Sequence, residues 1–193
     1  MRMASSTMLS LGTKAPEFSL PDTVSGKIIS PAVFADKKAF LVMFICRHCP
    51  YVQHVKKELA RIGRDYKDKN AGIVAISSND SDAYPVDAPA SLAEFVREEG
   101  FVFPLCYDET QEVARAYTAA CTPDIFLFDQ ERKLVYRGQV DDSRPGNNKP
   151  LTGKDLRAAL DAVLSDKPVD SNQHPSSGCG IKWKPGNEPS YST

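Results

Sequence analysis

Two periods of apolar and polar positions alternate along the chain. "KAFLVMFI" (38–45) is a short, continuous apolar run and predicts a buried strand. After Pro50, the residues Val52, Val55, Leu59, Ile62 and Tyr66 recur at spacings of three and four, with Lys56, Lys57, Arg61 and Asp65 between them. That stripe predicts an amphipathic helix ending near "DKNAG". "GIVAISS" (72–78) predicts a second buried strand, and "SLAEFVREEG" (91–100) a helix that opens with a capping box, Ser91 and Glu94, and closes on Gly100. "FVFPLCYD" (101–108) reads as a short strand broken by Pro104, and "DETQEVARAY" (108–117) as a short helix with Asp108 at its N-cap and Gln111 at N3. "DIFLFD" (124–129) and "KLVYRGQV" (133–140) are two strands joined by a polar turn, the signature of a hairpin. "TGKDLRAALDAVLS" (152–165) predicts a helix capped by Thr152, with Leu156, Ala159, Leu160, Val163 and Leu164 as its apolar stripe.

Early strand–helix alternation implies parallel strands with crossover helices, and the hairpin adds antiparallel edge strands. The expected fold is α/β, a mixed central sheet flanked by helices. From Pro168 onward Pro, Gly, Ser and Asn occur without periodicity, so the expected division is a domain over 1–167 and an irregular, extended tail over 168–193.

The chain has 193 residues, is 41% hydrophobic and 25% charged, and carries a net charge of -1. It can bury a substantial core, and it lacks the basic field that nucleic acid or an anionic membrane would need. The longest apolar run, Ala39 to Cys46, is eight residues, against the roughly 20 of a membrane span. No signal-peptide core stands at the N-terminus, so the expected location is cytoplasmic. Five cysteines, an odd number in such a chain, argue for catalytic, metal-binding or inert thiols rather than a structural disulfide framework.

Cys46 ends the first predicted strand and Cys49 opens the following helix, just ahead of Pro50. A thiol there faces unpaired backbone N–H groups and the positive end of the helix dipole. Such surroundings draw a cysteine pKa from about 8.5 into the range of roughly 3.5–7.5. Arg47 and His48 lie between the two thiols and can add positive charge. Each unit of depression favours the thiolate by about 1.4 kcal/mol, which makes the corresponding disulfide a stronger oxidant. A redox pair, half of a metal site and two buried inert thiols are the three alternatives. Of the other cysteines, Cys121 directly precedes Thr122-Pro123 and reads as a third redox thiol, a metal ligand or a wall residue. Cys179, flanked by Gly178 and Gly180, reads as a mobile resolving thiol or a tail thiol, and Cys106 as core. His54 reads as a surface residue on the helix, and Trp183 as an anchor that docks the tail onto the domain or a partner subunit. Asn79, Asp80 and "YPVDAP" follow a strand end and would line the same rim or serve as turns.

The strand, Cys46-Arg47-His48-Cys49, the long helix, and Thr122-Pro123 directly before "DIFLFD" and "KLVYRGQ" resemble the thioredoxin superfamily. "GTKAPEFSLPDT" and "FPLCYDETQEVARAY" are similar to its peroxiredoxin-like branch, the alkyl hydroperoxide reductase and thiol-specific antioxidant proteins. The resemblance covers about Thr13 to Lys167. It implies a thioredoxin-like fold, a cis Pro123 packed beside the cysteines, and thiol-disulfide or antioxidant peroxidase activity without a cofactor. The thioredoxin pattern makes Cys46 the more exposed, attacking thiol and Cys49 the resolving one, whereas the peroxiredoxin pattern makes Cys49 the attacker. The chain departs from peroxiredoxins where their threonine and proline stand: here those positions are Cys46 and Val42. The implied partners are protein or small-molecule disulfides, hydroperoxides and a thiol electron donor, with oligomers allowed. A metal-binding or thiol-sensing module built on Cys46, Cys49, Cys121 and His48 is the reading from a different class.

Overall fold

The computed structural model describes residues 3–192. In chain order its elements are β1 (Met3–Ser5), β2 (Leu20–Pro21), β3 (Ile28–Ile29), β4 (Ala39–Phe44), α1 (Pro50–Tyr66), β5 (Ala71–Ser77), α2 (Pro89–Glu99), β6 (Leu105–Tyr107), α3 (Glu112–Ala116), β7 (Cys121–Thr122), β8 (Asp124–Phe128), β9 (Leu134–Gly138), α4 (Lys154–Leu164) and β10 (Ser177–Gly180). Short 3₁₀ turns occupy Pro31–Phe34 and Pro85–Asp87.

Five strands form the central sheet in the order β6-β5-β4-β8-β9. β4, β5 and β6 run parallel, and β8 and β9 antiparallel, as the alternation and the hairpin predict. Every residue of β4 and β5 is buried, because side chains alternate between two covered faces. One face packs Leu41, Met43 and Ile45 against Leu59 and Ile62 of α1, Phe95 of α2 and Leu160 of α4. The other packs Phe40, Val42 and Phe44 against Tyr117, Phe126 and Phe128, with Ala15, Phe18 and Leu20 from the N-terminal segment. Burying each large side chain contributes on the order of 2 kcal/mol.

Three helix starts differ from the sequence reading. α2 begins at Pro89 after Ala88, and Ser91 and Glu94 do not cap it; both instead accept hydrogen bonds from Arg47. α3 begins only at Glu112, with Gln111 as its N-cap residue at φ 63°. Asp108 is set back, where its buried carboxylate accepts from Ser78 Oγ at 2.8 Å and the Ala114 N–H at 2.9 Å. α4 follows Gly153 at φ 67°, and Asp141 takes over the capping role by accepting the N–H groups of Thr152 and Gly153, each at 2.6 Å. Gly100 closes α2 in the left-handed region, as expected.

The segment after Pro168 departs most from the sequence reading. Residues 177–180 form β10, the middle strand of a small sheet in the order β1-β10-β7. Cys179 stands opposite Thr122 on one side and Met3 on the other. Beyond it, Ile181 and Trp183 pack on the second core, so Trp183 anchors the segment to the domain.

Candidate functional site

β4 delivers the chain to Cys46, and α1 starts on Cys49 as its N-cap residue with Pro50 in the first turn. β7 brings Thr122 against both sulfurs: Cys46 Sγ lies 3.3 Å from Thr122 Oγ1, and Cys49 Sγ 3.1 Å from the Thr122 carbonyl oxygen. The Thr122–Pro123 peptide is cis, in agreement with the expectation from the resemblance. β10 supplies Cys179, which hydrogen-bonds to Cys49. Cys121, Thr122's neighbour, interacts electrostatically with Cys49 and Cys179. Four of the five cysteines therefore gather where β4, α1, β7 and β10 meet. All are reduced and buried.

Their charge states are unequal. Hydrogen bonding to Cys46 is the largest influence on Cys49 and lowers its pKa; burial opposes this, while Cys179, Thr122 and the Val52 N–H add to it, leaving Cys49 at about 4. Cys46 is driven the other way, first by its hydrogen bond to Cys49, then by burial and the negative charge of Asp87. The pair thus stabilises a single negative charge on Cys49, with Cys46 as donor. Cys179 is pushed up to about 12 by burial and by the hydrogen bond it gives Cys49, with the Tyr51 N–H and Lys182 opposing. Cys121 is raised well above an ordinary thiol by burial and by Asp124; its sulfur faces the Pro123 and Ser176 carbonyls at 3.5 and 3.9 Å. Cys106 lies on the opposite face of the sheet and is held protonated at about 12, a core thiol as the sequence suggests.

Two expectations about the pair need correction. Cys46 is not an exposed thiol: it and Cys49 are both buried, at 1% and 0% exposure. Nor does Arg47 lend its charge to the sulfurs. Its guanidinium reaches into α2, to the Ser91 carbonyl at 2.7 Å, Glu94 at 3.2 Å and Glu98 at 2.8 Å. Glutamates spaced four apart on one helix face offer it better-placed acceptors than a buried thiol does.

His48 leads instead to a residue not singled out by number in the sequence reading. Its Nδ1 meets the carboxylate of Asp87, which is fully buried. Asp87 also accepts from Asn79 Nδ2 at 2.8 Å, the Arg47 N–H at 2.8 Å and the His48 N–H at 3.3 Å. Burial raises the Asp87 pKa, but these donors outweigh it and the net shift is downward. The imidazole stacks on Tyr84 with centroids 5.2 Å apart and planes 11° from parallel. Asp87 and Tyr84 belong to "YPVDAP", whose turn-forming composition hides this role. Asn79 continues the chain of contacts, accepting the Lys182 N–H at 2.8 Å. The tail, the Asp87 turn and the Cys46–Cys49 loop are joined through this one amide. His54 is half-buried rather than solvated, bonded to Ser143 Oγ at 2.7 Å in a niche beside Pro123.

Among the described residues, one donor set could hold a metal: Cys46 Sγ, a His48 ring nitrogen and an Asp87 carboxylate oxygen lie within 4.8 Å of one another. It differs from the set expected from sequence, which had Cys49 and Cys121 in place of Asp87. The Asp87 oxygens already accept four hydrogen bonds, which an ion would have to displace.

Residues 11–137 match the family model described as the AhpC/TSA family. The chain belongs to the AhpC/TSA family. This member is similar to an uncharacterized conserved protein from Geobacillus kaustophilus, 50% identical with a TM-score of 0.95 over 96% of this chain and 98% of that one. It is also similar to a hypothetical protein from Sinorhizobium meliloti 1021, 48% identical with a TM-score of 0.93 over 94% and 99% of the two chains. The thiol-disulfide oxidoreductase ResA of Bacillus thuringiensis (strain Al Hakam) is 26% identical over 133 residues, 66% of this AhpC/TSA chain and 68% of ResA. Thioredoxin-family and disulfide-exchange structures at 18% to 25% identity superpose with TM-scores of 0.56 to 0.64. The fold is thioredoxin-like.

Proposed function

We propose that this AhpC/TSA-family protein is a thiol-disulfide oxidoreductase in which Cys49 attacks and Cys46 closes the disulfide. One observation carries the reading: Cys49 sits at the N-terminus of α1, accepts a hydrogen bond from Cys46 and is pulled down to about 4. The thiolate is the nucleophile in exchange. Cys49 S⁻ would attack one sulfur of a substrate disulfide, forming a mixed disulfide and releasing the other sulfur as a thiolate. Cys46 then gives up its proton and attacks Cys49, releasing the second substrate thiolate and leaving Cys46–Cys49 oxidised by two electrons. A thiol donor returns those electrons. Thr122 and Pro123 wall the sulfurs in; Asp87 and His48 hold the loop; Cys121, its sulfur facing two carbonyls, serves as a wall. The protein is assigned to a reducing compartment, the cytoplasm, and no helix among the described residues is long and apolar enough to cross a membrane. The division into a 1–167 domain and a 168–193 extension belongs to this proposal as well, with the extension packed on the domain.

The test is trapping with a small aromatic disulfide, mapped by mass spectrometry. Cys46→Ser should accumulate a mixed disulfide on Cys49, and Cys49→Ser should trap nothing. Trapping on Cys46 in the Cys49→Ser protein would reverse the roles.

The same anion supports a second reading. Cys49 S⁻ attacking a hydroperoxide would yield a sulfenic acid and an alkoxide, and Cys46 or Cys179 would condense with that sulfenic acid to a disulfide and water. Consumption of an organic hydroperoxide by the reduced protein, one equivalent per Cys49, distinguishes it.

A further inference from the structure

β7 is a strand of two residues lying against the redox pair, and its outer edge is fully taken by β10 in antiparallel register, Cys179 opposite Thr122 and Gly180 opposite Cys121. An edge of this kind is where an extended chain adds itself to a sheet, with main-chain hydrogen bonds supplying affinity and alternate side chains supplying specificity. Here the added chain is the protein's own. It presents a cysteine whose sulfur hydrogen-bonds to Cys49, in the place a substrate sulfur would have to take.

The fit is close. A Cβ at Gly178 would overlap the Thr122 carbonyl oxygen, stand 2.7 Å from the carbonyl carbon and 3.3 Å from Pro123 N. Only glycine lets β10 approach β7 this far, although its backbone conformation does not require glycine. The segment is also pinned on both sides of the strand. Gln139 donates its N–H to the His174 carbonyl at 2.9 Å and Ser176 Oγ donates to the Gly138 carbonyl at 2.6 Å. Beyond the strand, the Lys182 carbonyl accepts from the Asp80 N–H and Gln111 Nε2, at 2.8 and 2.9 Å. With the strand in place the attacking sulfur has no exposed surface. The niche beside Pro123, lined by Tyr51, His54 and Ser177, encloses only about 10 Å³, which is room for a single water.

We propose that β10 is an internal occupant of the β7 edge, holding its own cysteine where a substrate chain would lie, so that exchange with a protein disulfide waits on release of residues 177–180. The proposal rests on the redox reading of Cys46 and Cys49. It also specifies the partner: a chain in β conformation, paired antiparallel to Cys121–Thr122, with glycine or another small residue just before its reactive cysteine. The reaction is the two-electron exchange written above, with the polypeptide disulfide reduced to two thiols.

The test compares the full-length wild type and Gly178→Val, both fully reduced, in single-turnover reaction with two substrates: a peptide disulfide whose cysteine follows glycine in an extended segment, and glutathione disulfide. Valine at 178 should expel the strand, raising the peptide rate at least about tenfold and the peptide-to-glutathione rate ratio at least about threefold. Trp183→Ala, which removes the distal anchor without touching the sulfurs, should move both quantities in the same direction by a smaller amount, and decides the matter if Gly178→Val does not fold. Equal gains with both substrates would describe a cover over the sulfurs with no docking edge, and would overturn the proposal. So would a wild type that already reduces the peptide as fast as the variants do. Wild type and variants inert toward both disulfides would overturn the redox reading itself, and this proposal with it.

Discussion

Cys49 and Cys106 are equally sealed, each at 0% exposure, but they sit on opposite faces of the same sheet and behave as different functional groups. Cys49 is drawn down to about 4, whereas Cys106 is pushed up to about 12 by burial and the nearby Asp22. The contrast extends to their neighbours. On the Cys106 face, burial also raises Tyr117, and Asp124 is carried up to about 7. On the Cys49 face the buried Asp87 ends below its ordinary value. Burial disfavours charge on both faces; what differs is whether the hydrogen-bond donors and nearby charges outweigh it. Cys49 has a second thiol as its donor and Asp87 has His48, Asn79 and the loop amides, whereas Cys106 meets only burial and Asp22, and the amides of Ala120, Ile125 and Cys121 with Ser6 do not offset the burial of Asp124.

Three changes break or sharpen this contrast. Asp124, on the Cys106 face, gives the largest effect. A carboxyl raised to about 7 from 3.8 binds its proton more tightly folded than unfolded, so stability falls as pH rises from the unfolded value through the folded one. Roughly three units correspond to about 4 kcal/mol. Between pH 4 and 7 the wild type should lose stability by up to that order, and Asp124→Asn should flatten the curve; denaturant unfolding across pH checks this, and parallel curves would refute it. Next is removal of the principal donor. Cys46→Ala should lift the Cys49 titration by two units or more, equivalent to about 3 kcal/mol, as read from the pH dependence of ultraviolet thiolate absorbance; an unmoved midpoint would show that the helix terminus alone holds the anion. The smallest effect belongs to Cys106→Ala, which should cost about 1 kcal/mol of stability for the small cavity and leave disulfide exchange at its wild-type rate. A slowed exchange would mean that the two faces communicate.

The apolar runs and stripes made β4, α1, β5, the β8–β9 hairpin and α4 legible from the chain alone, because each buries a surface whose period matches its element. Cys46, Cys49, Thr122 and Pro123 were legible by motif, and the structure brings them into contact. β10 was not. "SSGCGIKW" has no apolar alternation, and the strand exists because two waiting backbone edges, β1 and β7, pair with it; glycine is there for closeness, which composition reports as looseness. Ser91 and Glu94 had the right identities for a capping box, but Arg47 claimed both, whereas Asp108 still bonds a first-turn N–H of α3 from further back, with Ser78 Oγ as its second partner. Asp87 lay inside a turn signature, and only the fold reveals that it receives His48, Asn79 and the loop amides together.

The small sheet β1-β10-β7 joins the beginning of the described chain, residues 3–5, to a segment near its end. Purification handles and fusion partners are ordinarily attached at termini on the assumption that these lie far from the chemistry. In this molecule a group attached just ahead of residues 3–5 would bear on β1, which pairs with the strand carrying Cys179, so a cleaved, scarless preparation is the proper reference for any rate measured on it.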